Sequence, residues 1–412
     1  MLPENQFTKN LDLGLIFVVL LLVVIGILSI YSATYISEAS IGHLKFHKQI
    51  LWSVLGLVVF ATAVFIPLRM LHKYAYLLYG FSIFLLLLAL VIGRGAGTHR
   101  WFILGSFRIQ PSEFAKIGAV LALSRFLSKE NRDLNQFREL TVAFSICFVP
   151  LLLIIRQPDL GSALVFLAIS LPMLHWGGLS PVVLFILIAP LISLLSAFSF
   201  YSFFVAMILI SLILFACQRG TVFFLINFLI NIGVGIITPI MWGMLQGYQK
   251  NRILTFLGLV TDPHGLGYQV IQSKVAIGSG GLWGKGFLDG TQTHLRFLPE
   301  QHTDFIFCVI GEEFGFLGVF FVLILFLYIV FKGLRIASIV KSKFTSLLVF
   351  GATMILLFQI FVNIGMTVGI MPVTGLPLPF LSYGGSSLIS NLFMVGLIIN
   401  ASRRRFDYIK SI

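Results

Sequence analysis

Twelve apolar runs, separated by short polar pieces, leave this chain little choice of fold. They fall at roughly 11–35, 47–66, 72–93, 111–128, 138–156, 160–177, 179–198, 200–217, 220–246, 303–331, 343–370 and 384–402. A membrane span needs about 20 apolar residues. Within lipid, only helices and closed barrels satisfy their own backbone. The expectation is an all-α polytopic membrane protein of about 12 transmembrane helices. Only 10% of the 412 residues are charged, against roughly 25% in a soluble domain. That excludes a soluble enzyme, a disordered chain and a secreted disulfide scaffold. Cys147, Cys217 and Cys308 lie in or beside apolar runs without metal-site spacing and read as packing.

The net charge of +13 sits between the runs, so it speaks of topology and anionic lipid, not of nucleic acid. With the N-terminus cytoplasmic, 16 of the 28 Lys and Arg fall inside. Of the 12 outside, five lie in the long segment 247–302, which weighs little in this rule. Both termini are therefore expected in the cytoplasm. The outer face then holds loop 94–112, the link 156–161, segment 247–302 and the Pro/Gly-rich loop 371–383. In 247–302, Gln269, Gln272 and Ser273 share one helical face and Ile271 and Val275 another, the pattern of a short helix on the membrane surface. No soluble domain is visible, so residues 1–412 read as one transmembrane domain.

Ionisable groups in or beside spans are costly and are candidates for function. Glu113 and Lys116 are three apart and able to pair, which equally suits a helix-end ion pair. Arg94, Arg100, Trp101 and Arg108 form a basic, aromatic rim, fit for an anionic headgroup or for an interfacial belt. Asp159 suits an N-cap, and Arg156 is placed to neutralise it or to reach a phosphate. Asp262, in Thr261-Asp262-Pro263-His264-Gly265, is by composition a turn residue and by position a general base. Glu300, His302, Thr303 and Asp304 crowd the start of the tenth run, with Thr303 a cap candidate and Glu312 on roughly the same helical face as Asp304. Glu300 and His302 are too few for a zinc signature. The glycines and serines at 384–387 open a helix N-terminus that suits an anion.

These motifs resemble the SEDS family (shape, elongation, division, sporulation), bacterial peptidoglycan glycosyltransferases. The resemblance rests on Gln110-Pro111-Ser112-Glu113, Gln157-Pro158-Asp159-Leu160-Gly161, Asp262-Pro263 with Gly267-Tyr268-Gln269, LPEQHTDFIF at 298–307 and PLPFLSYGGSS at 377–387. It covers nearly the whole chain in order, and 285–307 is closer to the RodA type than to FtsW. The family commonly has ten spans. This chain has room for three runs between His175 and Gln249, so an extra hairpin is expected near 179–217.

The resemblance implies a multi-pass protein of the bacterial inner membrane that polymerises lipid II onto a nascent glycan strand, with inversion and an undecaprenyl pyrophosphate leaving group. Asp262 would be the base. Arg100, Lys116 and Arg156 would face the pyrophosphate, Glu113 would orient Lys116, and a divalent cation (Mg or Mn) would assist. Trp101, Asp159, Gln269, Lys274, Glu300, His302, Thr303, Asp304, Ser382, Tyr383 and Gly384 would complete the substrate site. Implied partners are a class B penicillin-binding transpeptidase, near the eighth to tenth helices, and other membrane proteins of the elongation complex. A lipid II flippase, a non-catalytic scaffold and an FtsW-type division polymerase stay open.

Overall fold

The computed structural model describes residues 11–35, 39–94, 99–105, 107–130, 132–217, 220–244, 247, 250, 254, 266–294 and 300–404. Among these, long helices appear at every one of the 12 apolar runs. They are α1 (Leu13–Thr34), α2 (Ala39–Phe65), α3 (Leu68–Ile92), α4 (Pro111–Ser128), α5 (Phe137–Arg156), α6 (Leu160–Trp176), α7 (Pro181–Ser196), α8 (Phe200–Ala216) and α9 (Thr221–Met244). After the amphipathic α10 (Leu266–Ser279) and the short α11 (Thr291–His294) come α12 (Ile306–Ile339), α13 (Lys343–Val368) and α14 (Gly385–Arg403). Eight are long and apolar enough to cross a membrane; α6, α7 and α8 are apolar but shorter. The chain is a helical, multi-pass membrane protein.

Local chemistry sets the helix ends. Asp12 caps α1 by accepting from Leu15 N at 3.2 Å. Pro111 and Pro181 open α4 and α7, where a missing N–H costs nothing. Gly369 closes α13 in the left-handed conformation, φ 78°. One expectation fails at the tenth run. The helix begins at Ile306 with Phe305 as an uncapped start, while Thr303 Oγ1 turns back to Glu300 O at 3.1 Å. Thr303 is therefore not the cap. The helical expectation holds, with one small addition that the sequence did not announce: β1 (Phe102–Leu104) pairs antiparallel with β2 (Phe107–Ile109), extended by an Arg94–Trp101 bridge.

The core lies around α13 and α14. α14 runs along α2, where Gly396 meets the Phe60 carbonyl and Ala63. α13 packs on α12, α4 and α6, and Gly351 admits Val120 and Met173. α4 lies against α3 so closely that a side chain at Gly118 would strike Ser82. The expected hairpin is present as α7 and α8. With α9 it forms a satellite bundle, held to the body through α6 and α7 and pinned inside by Ser193 Oγ donating to Asn231 Oδ1 at 2.7 Å.

α12 is discontinuous. At Gly315 (φ 63°, ψ −161°) the helical ladder breaks. The freed groups are taken up by the segment after α10: Phe316 N donates to Gly281 O at 2.9 Å and Leu317 N to Leu282 O at 3.2 Å. In return Lys285 N and Gly286 N donate to the carbonyls of Glu312 and Glu313, each at 3.0 Å. Broken backbone at membrane depth survives only when protein satisfies it.

Candidate functional site

Four separate segments meet at one end of the bundle: the β-hairpin, the α5–α6 link, residues 300–305 and the loop 370–384. Asp159 is their polar centre. It caps α6 by accepting from Ser162 N at 3.2 Å and Ser162 Oγ at 2.9 Å. Its carboxylate also receives Gln110 Nε2 at 3.0 Å and faces Arg100 Nη1 at 3.6 Å. The cation on Asp159 is thus Arg100, not the expected Arg156, which is exposed at the end of α5. Only the hairpin brings Arg100 there. Trp101 beside it is half-buried and bridges Arg94 through the backbone.

Residues 302–304 and 382–384 are laced together. Tyr383 N donates to His302 O at 2.9 Å, and Ser382 Oγ donates to Thr303 O at 2.6 Å while accepting from Leu378 N. Gly384 N reaches Gln49 Oε1 of α2 at 3.4 Å. From below, Asn363 Nδ2 holds the carbonyls of Asp304 at 3.0 Å and Leu376 at 2.7 Å. Two non-glycine residues here, Glu300 (φ 53°) and Phe380 (φ 65°), sit in the left-handed region, a strain that concentrates at functional sites. The start of α14 is closely covered: Gly385 lies on the Trp52 ring, and Ser386 Oγ accepts from Gln110 N at 3.1 Å.

The electrostatics of this end are unusual. Burial, with Glu300 and Asp159 nearby, pushes the Asp304 carboxyl up to about 6 against the pull of Arg100. Burial and the Lys45 ammonium push the His302 imidazole down to about 4, although Glu300 acts the other way. Burial likewise raises the Tyr383 phenol. His302 Nε2 stands 3.2 Å from Lys45 Nζ and 4.0 Å from Glu300 Oε2. Among the described residues no three His, Cys, Asp or Glu side chains cluster to hold a metal ion.

Other candidates lie apart. Glu113 and Lys116 pair at 2.8 Å, with Ser390 Oγ donating to Glu113 at 2.7 Å. They are 1% and 0% exposed, within the α4–α14 contact and not on a surface. Glu312 does not share a face with Asp304, because Asp304 precedes the helix. Its buried carboxylate instead accepts from Lys285 Nζ (2.8 Å), Gln292 N (2.8 Å) and Thr293 N (3.0 Å). Glu313 accepts from Ser32 Oγ of α1. In α10, Ser273 Oγ donates to Thr367 O at 2.6 Å, so the polar face packs inward. Ile271, Val275 and the following Trp283 face outward, with Trp283 80% exposed. Gln269 is half-buried there, and Lys274 drapes over Gly369. Asp262, with Pro263, lies outside the described residues.

Sequence reasoning missed Lys45, Gln49 and Asn363. All three sit within apolar runs or at their edges, and only the tertiary fold aims them at the site.

The cell cycle protein family FtsW/RodA/SpoVE matches residues 13–204 and 201–406, with the break inside the extra hairpin. Peptidoglycan glycosyltransferase MrdB of Escherichia coli K12 is 36% identical over 98% of this chain and 96% of its own length. Peptidoglycan glycosyltransferase RodA of Treponema pallidum is 36% identical over 96% of this chain and 98% of its own. A solved structure describing the coordination of polymerisation and crosslinking by a peptidoglycan synthase complex aligns at TM-score 0.71 and 31% identity, covering 97% of this chain and 99% of that one. The chain belongs to the FtsW/RodA/SpoVE family of cell cycle proteins.

Proposed function

We propose that this protein is a peptidoglycan glycosyltransferase that polymerises lipid II into glycan strands during cell elongation. The observation that carries the reading is the convergence of the 100–110, 157–162, 302–304 and 374–384 motifs at one end of a membrane bundle, in a chain with full-length similarity to MrdB and RodA. That similarity favours the elongation type over FtsW.

In this reading an acceptor GlcNAc hydroxyl attacks the anomeric carbon of the donor MurNAc. The new C–O bond forms with inversion as the bond to the lipid diphosphate breaks, and the electron pair leaves on the diphosphate. The hydroxyl proton passes to Asp262. Diphosphate is a good leaving group and needs a cationic environment more than a proton donor, so one carboxylate suffices. Half-buried Arg100 and exposed Arg156 supply the charge. Lys116 acts from beneath the site, oriented by Glu113. No metal ligand set is present among the described residues, so no step is assigned to a divalent cation.

The site end faces the cell exterior in this reading, because Lys73, Arg125, Arg132, Lys332, Arg403 and Arg404 mark the other end as cytoplasmic. Crosslinking falls to a class B penicillin-binding transpeptidase, a pairing supported by the similarity to a synthase complex. Purified protein given lipid II should form glycan strands, and Asp262→Asn should form none. Normal polymer from that variant would sink the assignment. Lipid II scrambling that survives the substitution would favour a flippase.

A further inference from the structure

Lys45 was not among the residues expected to meet substrate, yet the fold delivers it to His302, where residues 302–304 and 382–384 meet. It lies one helical turn before Gln49 on α2, on the face that Gln49 presents to Gly384. Its ammonium stands 3.2 Å from His302 Nε2 and is half-buried. An ammonium only donates, so Nε2 accepts and the imidazole carries its proton on Nδ1. The ring is fixed in turn, since the His302 backbone carbonyl takes the Tyr383 N–H and the two ring centroids lie 5.6 Å apart.

This arrangement holds a cation through a neutral group, with the exposed Glu300 carboxylate 4.0 Å from the same imidazole nitrogen. Three other lysines are neutralised by carboxylates: Lys116 by Glu113, Lys285 by Glu312 and Lys332 by Asp12. Arg100 shares its charge with Asp159. Lys45 instead rests on an imidazole that burial and Lys45 itself keep neutral. Its positive charge is therefore uncompensated by its partner, in a partly water-excluded place where charge counts for more. The imidazole restricts the side chain, so less conformational freedom is lost when an anion arrives. A lysine acts on phosphate as a point charge from a short distance.

We propose that Lys45, positioned by His302, binds the diphosphate of the lipid-linked donor. This rests on the glycosyltransferase reading above and adds a specific contact to it. The alternative anions of such a substrate are the carboxylates of its peptide, and the test separates the two.

Undecaprenyl diphosphate, which has no sugar or peptide, is titrated into the detergent-solubilised full chain. Lys45→Gln should weaken its binding about tenfold or more, as expected for loss of a charge-assisted contact. Lys45→Arg should stay within about threefold, since the charge remains. His302→Leu, which frees the ammonium, should fall between. If Lys45→Gln binds undecaprenyl diphosphate like the parent, the proposal is overturned, including the case where only lipid II binding falls and the peptide carboxylates are the partner. Should Lys45→Gln fail to fold, the unmodified chain decides. Undecaprenyl diphosphate should protect Lys45 from an amine-reactive reagent, read by peptide mass spectrometry, and no protection overturns the proposal. Failure of the parent protein to polymerise lipid II counts against the glycosyltransferase reading instead.

Discussion

Lys116 is a lysine with no exposed surface, deep in a protein that already lives in lipid. It is paired with Glu113 2.8 Å away, and Ser390 Oγ donates to the same carboxylate. Removing one partner of a buried pair costs about 3–5 kcal/mol, whereas replacing both with apolar groups of similar size costs far less. Glu113→Ala alone should therefore lower the thermal midpoint in detergent sharply. The pair Glu113→Leu with Lys116→Met should recover most of that midpoint while leaving lipid II polymerisation lost, if the charge serves the reaction. Asp304 makes a pH prediction. Its carboxyl titrates at about 6, above the ordinary 3.8, so the protonated form fits the fold better. That contribution is complete below about pH 4 and is lost as pH rises through 6. Asp304→Asn should flatten the fall in thermal midpoint between about pH 4 and pH 6. At this scale the sequence was readable where partners are near neighbours: the Glu113–Lys116 spacing and the Asp159 cap both follow from one helical turn. The Arg100–Asp159 contact was not, because it joins residues 59 apart through a hairpin that no hydrophobic period announces.

The helices themselves were legible, since a run of lipid-facing side chains writes its own length. Their interruptions were not. α12 reads as one apolar run, yet it breaks at Gly315, where a side chain would meet the backbone of Leu282 and Gly284. Such backbone is close to glycine-only, with a cost of about 1–3 kcal/mol for other residues. Gly315→Ala should loosen segment 280–294, detected as new protease cleavage there before any change at α13. Glu312→Ala should produce the same cleavage by another route, because Lys285, Gln292 and Thr293 all lose their common acceptor. The amphipathic reading of α10 holds in its two faces, Ser273 inward and Ile271 outward.

Over the whole molecule, stability is unevenly spread. α13 and α14 are enclosed by protein, whereas α7, α8 and α9 pack mainly on one another. Regions with fewer buried contacts open first, so amide hydrogen exchange in nanodiscs should be faster across α7–α9 than across α13 and α14. Equal protection would show the satellite to be integral to the body. α4 carries the opposite lesson. Nearly every residue from Pro111 to Ser128 is covered by neighbouring helices, and the helix is not apolar enough to qualify as a span by composition. Glu113, Lys116 and Arg125 each oppose insertion of α4 as a lone helix. During synthesis α4 is therefore a poor client for the translocon by itself. It should enter the bilayer together with α3, the helix against which Gly118 lets it lie, because the Ser390 contact to Glu113 comes from α14, made nearly three hundred residues later.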